Sequence, residues 1–428
     1  MPDYKKKNVK RSGRAKAKVE QVKDIPMRSK PVRQRKTKEN EAAEKPGDLR
    51  VVKGNKLRNR RRAQVILLVA VTVAAVILIL QLSFPTGIID QAKVIGAAIG
   101  AQSFPVSMSG SNTLNCEERG SLFYTLSDTS LESYNNGGKN IIKSQHGLSN
   151  PVLRASATRA LLFDQGGVSF KIYGPKELIF DETTENSIIS GNIARCGAYA
   201  IATRAKDYAS TVTVYSKKGE KVYQWNSSVE IVSDVALSPD GKKLAVAVFG
   251  SNNGEYISKV YVLTFDSATP VHTSEYSGEF IYSLQTNVNK GFYVVYGGGT
   301  DYISWRKYTV KKFTTENDVR LYRGNSRHSL VVTTRSSDKK DNTLTLFNKK
   351  GESVSEIKWQ QSITDATLVG NHILILSDTS IYMLDKNGKT VRRGEAGFGG
   401  VRVIGVNLEK SLVITDNLIS KVDLQSEK

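Results

Sequence analysis

The sequence predicts an all-β fold, a β-propeller of about eight, alternatively seven, four-stranded blades, preceded by one transmembrane helix and a disordered basic tail. Three observations predict it: an uncharged run of 22 residues, a concentration of positive charge before that run, and segments after it that resemble one another at intervals of about 40 residues. They divide the chain into a cytoplasmic tail (1–62), a transmembrane signal anchor (63–84), a juxtamembrane connector (85–102) and an extracytoplasmic propeller (103–428).

The tail holds most of the positive charge. Residues 1–62 contain 23 Lys or Arg against 7 Asp or Glu, a net charge of +16 out of +21 for the whole chain. They include one Tyr and neither Phe nor Trp, so they cannot bury enough apolar surface to offset the entropy lost on ordering. The composition therefore predicts disorder, and it favours contact with an anionic membrane surface over contact with nucleic acid.

The uncharged run, residues 63–84, has the length of a membrane span, because a helix rising about 1.5 Å per residue covers roughly 30 Å over this distance. A cleaved signal peptide has a shorter apolar core behind a short leader, so an uncleaved anchor is favoured. Basic residues crowd the chain before the run, and the positive-inside rule places that side in the cytoplasm and the remainder outside. We expect contacts with anionic lipid from the five basic residues nearest the span: Lys56, Arg58, Arg60, Arg61 and Arg62.

The chain after the span repeats one pattern. "LSDTSLESYNNGGK" at 126–139 returns as "LSDTSIYMLDKNGK" at 376–389, and "SLVITDNLISKVDL" follows at 411–424. Apolar and polar residues alternate, and turns of Asp, Asn and Gly separate the runs, which is typical of antiparallel strands joined by tight turns. Propeller blades have a period of about 40 to 45 residues. Residues 103–428 therefore predict eight blades and leave seven open.

Two segments refine this prediction. The last copy of the repeat ends after three strands, so we expect residues 103–110 to supply the missing outer strand and close the ring. "SPDG" at 238–241 fits a turn between the inner strands of a middle blade, because Pro suits position i+1 of a turn and Gly its end.

The layout resembles a known family. "SPDGKKLAVA" at 238–247 is similar to the repeat of WD40-like and TolB-type propellers. A basic tail, one helix, "FPV" and then "QHGLSNPVLRASATRALLFDQGG" at 145–167 resemble the single-pass Firmicutes proteins of the domain-of-unknown-function family DUF5711 over roughly residues 60–425. The resemblance implies a propeller outside a Gram-positive cell membrane and brings no catalytic residue with it.

The two cysteines, Cys116 and Cys196, stand at similar points of two repeat units. Equivalent positions in non-adjacent units are farther apart than the Cα separation of about 4.4–6.8 Å that a disulfide needs. The sequence therefore predicts two free, buried thiols.

The sequence contains no recognisable motif for catalysis, a metal or a cofactor. The four histidines, His146, His272, His328 and His372, lie in different repeat units and lack the spacing of a zinc site. The stretch that ends in Gly388, Lys389 and Thr390 lacks the first glycine of a phosphate loop, and no G-x-S-x-G elbow occurs. We expect no metal and no cofactor, and an enzyme is less favoured than a binding protein.

One aromatic segment is a candidate ligand contact. "GFYVVYGGGTDYISWRKY" at 291–308 concentrates aromatic residues around three glycines. Aromatic rings beside a flexible loop stack on sugars or peptides, whereas in a buried pair of strands they pack the core. If they face a ligand, the contacts come from Tyr296, Tyr302 and Trp305.

Two functions fit the sequence. The first is a membrane-anchored extracytoplasmic propeller that acts as a non-catalytic binding or scaffold module for a protein, a peptide or a cell-wall polymer. The alternative is an exported hydrolase or lyase with its site in the propeller channel. Missing catalytic motifs favour the first. Acids or histidines that converge on one mouth of the channel are expected of the second and not of the first.

Overall fold

The computed structural model describes residues 54–83, 88–110, 112–286, 290–335 and 337–427. Within these ranges it describes the side chains of residues 62–76 and of residues from 90 onward, Asn252 excepted. Residues 1–53 of the tail predicted to be disordered lie outside the described residues, whereas residues 54–62 belong to α1 and are helical, so the prediction is wrong for that part.

Two helices precede the sheets in the part of the chain that the structure describes. α1 (Gly54–Ser83) contains most of the uncharged run, and α2 (Ile88–Ala98) lies in the predicted connector. Among the residues that the structure describes, no helix is both long and apolar enough to cross a membrane. The transmembrane part of the fold prediction is therefore not supported by the structure. Residues 77–84 of the expected span lie outside the described side chains.

The strands follow one another as antiparallel meanders. A short strand, β1 (Val106–Ser107), comes first. Blade 1 comprises β2 (Thr113–Arg119), β3 (Leu122–Ser127), β4 (Ser130–Asn135) and β5 (Asn140–Gln145). Blade 2 comprises β6 (Pro151–Ala155), β7 (Ala160–Asp164), β8 (Ser169–Tyr173) and β9 (Leu178–Thr183). Blade 3 comprises β10 (Ile188–Ile193), β11 (Tyr199–Thr203), β12 (Ser210–Tyr215) and β13 (Lys221–Ser227). Blade 4 comprises β14 (Ile231–Leu237), β15 (Lys243–Asn252), β16 (Glu255–Thr264) and β17 (His272–Ser277).

The second half continues the same order. Blade 5 comprises β18 (Ile281–Gln285), β19 (Gly291–Tyr296), β20 (Gly299–Ser304) and β21 (Val310–Thr314). Blade 6 comprises β22 (Asp318–Gly324), β23 (His328–Arg335), β24 (Asp338–Asn348) and β25 (Ser353–Trp359). Blade 7 comprises β26 (Asp365–Val369), β27 (His372–Ser377), β28 (Ser380–Leu384) and β29 (Thr390–Glu395). Blade 8 contains β30 (Arg402–Gly405), β31 (Lys410–Ile414) and β32 (Leu418–Asp423), and β33 (Gln425–Ser426) ends the chain.

The described strands thus form eight sheets, which confirms the count of eight blades. β1 completes blade 8 by pairing with β32, Val106 opposite Ile419 and Ser107 opposite Leu418. The predicted closure by residues 103–110 is confirmed. The structure adds one feature: β33 pairs with β29 and gives blade 7 a fifth strand. A two-residue strand carries too little periodicity to be predicted.

The core lies between blades. The described part of the chain holds eight apolar clusters, one at each junction of neighbouring blades. Successive residues of one strand serve opposite junctions: Leu161 of β7 packs towards blade 3 and Leu162 towards blade 1. Because successive side chains of a strand point to opposite faces, each inner strand packs against both neighbouring blades, and both of its faces are buried. This packing between neighbouring blades stabilises the ring.

Inner strands are also joined by polar contacts. Asp234 Oδ2 in blade 4 accepts a hydrogen bond from the Leu284 amide of blade 5 at 2.8 Å. Asn192 Oδ1 in blade 3 accepts one from the Leu237 amide of blade 4 at 3.0 Å. Such bonds satisfy amides at the ends of the apolar clusters, where an unpaired buried donor is costly.

The predicted inner turn of blade 4 is present between β14 and β15. Ser238 Oγ donates to Asp240 Oδ1 at 2.6 Å, and the Gly241 amide donates to the Ser238 carbonyl at 2.8 Å. Gly241 has φ +68°, a left-handed conformation that favours glycine.

Both cysteines are free, as expected, but they are half-buried rather than buried. Cys116 lies within β2, whereas Cys196 lies in the turn after β10. They therefore do not occupy equivalent points of their blades. Relative to the first strand of its blade, Cys196 lies a few residues later than Cys116. The repeat units are too dissimilar in sequence to show so small a difference in position.

Candidate functional sites

A cavity of about 940 Å³ occupies one end of the central channel, and we call it the channel cavity. Its wall comes from α2 and from the first strands of all eight blades, largely where those strands lead into the turn before the second strand. Each blade contributes between two and six wall residues. The cavity therefore exists only when the ring is closed.

Arginine outnumbers acidic residues in the channel cavity. The described lining contains no histidine, and its charged groups carry a formal net charge of +2. Positive charge inside a concave, poorly solvated site attracts anions more strongly than the same charge on an open surface. The five arginines and three acids are Arg119, Arg195, Arg323, Arg327 and Arg402 with Glu117, Glu118 and Asp365.

Asp365 is the buried centre of this charged cluster, with 1% of its surface exposed. Its Oδ1 accepts hydrogen bonds from Arg323 Nη2 at 2.9 Å and from Arg402 Nη1 at 3.1 Å. Its Oδ2 accepts from the Val403 amide at 3.1 Å, another contact between inner strands. One carboxylate thus orients two guanidinium groups in the wall of the cavity, with charge-assisted bonds.

A second ion pair of the cavity wall lies at the end of β2, beside the turn to β3. Arg119 Nη2 contacts Glu117 Oε2 at 2.8 Å, and Arg119 Nε donates to the Ala155 carbonyl of the next blade at 2.7 Å. Arg119 therefore joins blade 1 to blade 2 and holds the Glu117 carboxylate beside it.

Glu118 has a different environment. Burial raises the pKa of its carboxyl to about 7, and a hydrogen bond from Thr367 Oγ1 to its Oε2, at 3.3 Å, opposes that shift. This group therefore exchanges a proton near neutral pH. It is the one feature of the cavity that resembles a general acid or base.

Cys116 also lines the cavity, but its thiol is not activated. Burial raises its pKa well above the usual range, more than the nearby Arg402 guanidinium lowers it. Because the thiolate is the nucleophilic form, this cysteine is a poor candidate for covalent chemistry.

α2 forms one side of the cavity rim through Gln91, Val94 and Ile95. Ion pairs hold this helix to blade 2: Asp90 Oδ2 lies 3.7 Å from Arg159 Nη2, and Lys93 Nζ lies 2.6 Å from Glu177 Oε1. The Asp90 pair is the better shielded of the two, because Arg159 is almost buried.

Asn135 at the end of β4 caps the carboxyl terminus of α2. Its Nδ2 lies within hydrogen-bonding distance of the carbonyls of Ala97 (3.3 Å), Ala98 (3.2 Å) and Gly100 (2.9 Å). The last carbonyls of a helix have no partner within the helix, so this side chain satisfies them. Ion pairs and cap together fix α2 beside the cavity.

The three aromatic residues predicted to contact a ligand lie in the core. Tyr296, Tyr302 and Trp305 are 5%, 4% and 6% exposed. The hydroxyl of Tyr296 donates to Asp301 Oδ1 at 3.0 Å, and the Trp305 ring packs against Phe292. This placement agrees with the core reading of the segment. A ligand role for these three side chains stays untested and has no exposed surface to support it.

A different aromatic cluster is exposed, and we call Phe249, Tyr256, Phe280 and Tyr282 the aromatic platform. It lies where the second and third strands of blade 4 meet and where blade 5 begins, which is the face opposite the turns around the channel cavity. Sequence reasoning missed it because its members are scattered over 34 positions and meet only in the folded blades.

The expected lipid contacts lie in α1. Arg62 is exposed, and the side chains of Lys56, Arg58, Arg60 and Arg61 lie outside the described residues. Contact with anionic lipid stays a prediction. In the part of the chain that the structure describes, no group of three or more His, Cys, Asp or Glu is arranged to hold a metal ion.

Eight sheets, seven of four strands and one of five, and a ring closed by a strand from before the first blade define the described part of this molecule as an eight-bladed β-propeller. The chain belongs to the family of unknown function DUF5711, which it matches over residues 102–424. This confirms the family resemblance, whereas the bacterial group stays a prediction. No curated protein matches the sequence significantly.

Solved structures are similar to this chain at low sequence identity. BamB from Moraxella catarrhalis is 12% identical with a TM-score of 0.49, and Sqt1 from Saccharomyces cerevisiae is 9% identical with a TM-score of 0.51. Each alignment covers 76% of this chain and 100% of the other. The likeness to Sqt1 shows a common fold and carries no information on activity.

Proposed function

We propose that this chain is a non-catalytic binding or scaffold module, anchored in the cell membrane with its propeller outside, whose channel cavity receives an anionic group of its partner. The observation that carries the proposal is the excess of arginine over acid in a cavity built by all eight blades. The partner classes expected from the sequence are a protein, a peptide or a cell-wall polymer. All three present carboxylate or phosphate groups, which arginine binds in a planar, two-pronged geometry.

The anchor and the orientation rest on the sequence. Residues 63–84 carry no charge, and basic residues are dense on their amino-terminal side. By the positive-inside rule this asymmetry supports a cytoplasmic amino terminus and a propeller on the outer side of the membrane.

The charged groups of the cavity favour binding over catalysis. Three acids do converge on this mouth of the channel, which is the arrangement expected of an enzyme. Two of them are engaged: Asp365 bonds to two arginines and Glu117 to Arg119. The Cys116 thiol is held protonated. The cavity therefore offers cations to a ligand and lacks an activated nucleophile among its described residues.

An exported hydrolase or lyase is the second candidate, and Glu118 is the observation that favours it, because its pKa of about 7 suits proton transfer at neutral pH. Acid or base catalysis needs this carboxyl throughout turnover, whereas binding through arginine does not. If the protein only binds its partner, the Glu118→Gln variant should still bind that partner, and no uncleaved form of the partner should accumulate in cells that carry the variant.

Site-specific photo-crosslinking in living cells tests the proposal. A photoreactive residue replaces Thr286 at the cavity wall or, as a control, the exposed Thr269 in an outer turn of blade 4. We expect a discrete adduct from position 286 and none from position 269. Charge reversal at the rim, Arg327→Glu, should reduce the adduct about tenfold, a change of about 1.4 kcal/mol in binding.

The control for charge reversal is Arg306→Glu, because Arg306 is exposed in an outer turn and does not line the cavity. Equal adducts from positions 286 and 269, or equal losses from the two reversals, would overturn the cavity as the binding site. Adducts with cytoplasmic proteins would overturn the outward orientation.

A further inference from the structure

We propose that the aromatic platform is a carbohydrate-binding site, which stacks a sugar ring of a glycan chain on Tyr282, with Phe280 beside it. This site is on the opposite face from the channel cavity and does not depend on it. It goes beyond the proposed function, since a module with both sites would hold an anionic partner and a glycan at the same time.

Three of the four rings are exposed to solvent. Tyr282 is 61% exposed, Phe280 40% and Tyr256 37%. Phe249 is less exposed and lies beneath them, with its ring centroid 5.6 Å from that of Phe280. Phe280 and Tyr282 meet edge to face, with centroids 5.6 Å apart. The result is a ridge of connected rings rather than single exposed residues, which are common on any protein surface.

The platform is held in shape by a rigid hairpin. β15 and β16 are ten residues long, longer than the five- and six-residue inner strands of most blades, and they carry Phe249 and Tyr256. Asn253 and Gly254 have φ of +52° and +83°, which is the two-residue turn that matches the twist of a hairpin. The Ser258 hydroxyl donates to the Glu279 carbonyl at 2.7 Å and fixes the loop that carries Phe280. A ligand therefore meets rings that are already positioned.

Polar groups converge beside the rings. The Glu279 carboxylate accepts a hydrogen bond from the Gly298 amide at 3.2 Å. A methyl group added at Gly297 would lie 3.1 Å from Glu279 Oε2 and 3.6 Å from the Tyr282 hydroxyl, so these two polar groups border the same small space. A carboxylate has about four acceptor positions and a tyrosine hydroxyl both donates and accepts, so neighbouring sugar hydroxyls find partners of both kinds.

This combination selects a sugar over other ligands. Ring faces carry partial negative charge and attract the polarised C–H groups on one side of a sugar ring, while the hydroxyls at its rim require hydrogen bonds. A cage for a cationic group needs rings that surround a space, whereas these rings pack against one another. An aliphatic ligand would offer no hydrogen-bond partner to the Glu279 carboxylate or to the Tyr282 hydroxyl.

Saturation-transfer NMR tests this site on the full chain in nanodiscs, with chitotetraose and cellotetraose as probes at millimolar concentration. We expect transfer to sugar ring protons in the natural protein and about tenfold weaker binding in Tyr282→Ala, because stacking is lost. Tyr282→Phe keeps the ring and should keep most of the binding. Glu279→Gln, which removes the charge and one acceptor oxygen, should weaken it.

Tyr208→Ala is the matched control, because Tyr208 is 45% exposed and stands outside the platform. Absence of transfer to both sugars would overturn the inference. So would transfer that survives Tyr282→Ala in a variant with an unchanged unfolding temperature, or binding of a lysine-rich peptide in place of the sugars. Because the photo-crosslinking described above probes the other face, its failure leaves this result interpretable.

Discussion

Two carboxyls of the channel cavity differ because of their immediate partners. Asp365 accepts three hydrogen bonds, two of them from arginines, and is fixed between blades. Glu118 accepts one side-chain hydrogen bond, from Thr367, and burial raises the pKa of its carboxyl to about 7. The number and charge of hydrogen-bond donors, rather than residue type, decide what each acid does.

Glu118→Gln is expected to remove a pH-dependent loss of stability. The pKa of Glu118 is about 7 in the folded protein against an ordinary 4.5, so the folded state binds more protons between these two values. The stability that this group provides is fully present below about pH 4.5 and is lost as the pH rises through about 7. Urea unfolding from pH 4.5 to 8 should therefore show the natural protein weakening with pH relative to the variant.

Glu316→Gln, at an exposed position of blade 6, is the control for that titration and should track the natural protein. A stability difference between Glu118→Gln and the natural protein that stays constant with pH would contradict the assigned shift.

For single residues, the sequence showed which aromatic residues cluster along the chain but not whether their side chains are buried or exposed. Tyr296 and Tyr302 sit in strands whose two sides both meet a neighbouring blade, so alternation places one in the junction with blade 4 and the other in the junction with blade 6. Neither side faces solvent. In a propeller, exposed rings come instead from strand ends and loops, as Phe280 does.

Among the elements, α2 was the least predictable. Its own sequence indicates only a partly apolar connector. The side chains that hold it belong to blades 1 and 2: Asn135, Arg159 and Glu177. A helix of 11 residues is marginal alone in water, so its stability here comes from docking. Its position at the rim makes it part of the candidate site.

Asn135→Asp should loosen α2 without disturbing the turn that follows β4. The aspartate keeps Oδ1, which accepts from the amides of Gly137 and Lys139. It replaces by an acceptor the Nδ2 donor, which faces two carbonyls at the end of α2 and the Gly100 carbonyl just after it. A lost hydrogen bond with an unpaired group costs about 1–3 kcal/mol. Hydrogen exchange of residues 88–98 should accelerate about tenfold or more.

Exchange in residues 136–139 should stay unchanged in that variant, and Asn186→Asp, at an exposed position of blade 3, should alter neither segment. Faster exchange of the turn with an unchanged helix would show that the cap contributes nothing to docking.

For the whole molecule, the repeat was enough to give the class and the closure, and it favoured eight blades over seven. The period of about 40 residues comes from the strands and turns within each blade, so it can be recognised in the sequence without knowing how the blades contact one another. The channel cavity does not, because Glu118 and Thr367 are almost 250 positions apart and meet only in the closed ring. Local patterns specify blades, whereas the site depends on how the blades are assembled.

A disulfide across the closure should stabilise the ring. Val106 and Ile419 are antiparallel partners and both are buried, and such partners have Cα atoms about 4.5–5.5 Å apart, which suits a disulfide. Crosslinking positions so far apart in sequence restricts the unfolded chain and can add up to about 5 kcal/mol. Val106→Cys with Ile419→Cys should raise the unfolding temperature when oxidised.

The single variant Val106→Cys and the reduced double variant provide the comparison. Equal unfolding temperatures for the oxidised and reduced double variant would mean that opening of this seam does not limit unfolding.

The closing blade also determines how the molecule would carry a mechanical load. β1 holds the ring shut through only two residue pairs, and the chain reaches it directly from α2. A pull on the amino-terminal side would therefore arrive first at the α2 contacts with blades 1 and 2, and only after these yielded at the seam. Because α2 is docked on blades 1 and 2, such tension would be spread over these two blades before it reached the pairing of β1 with β32.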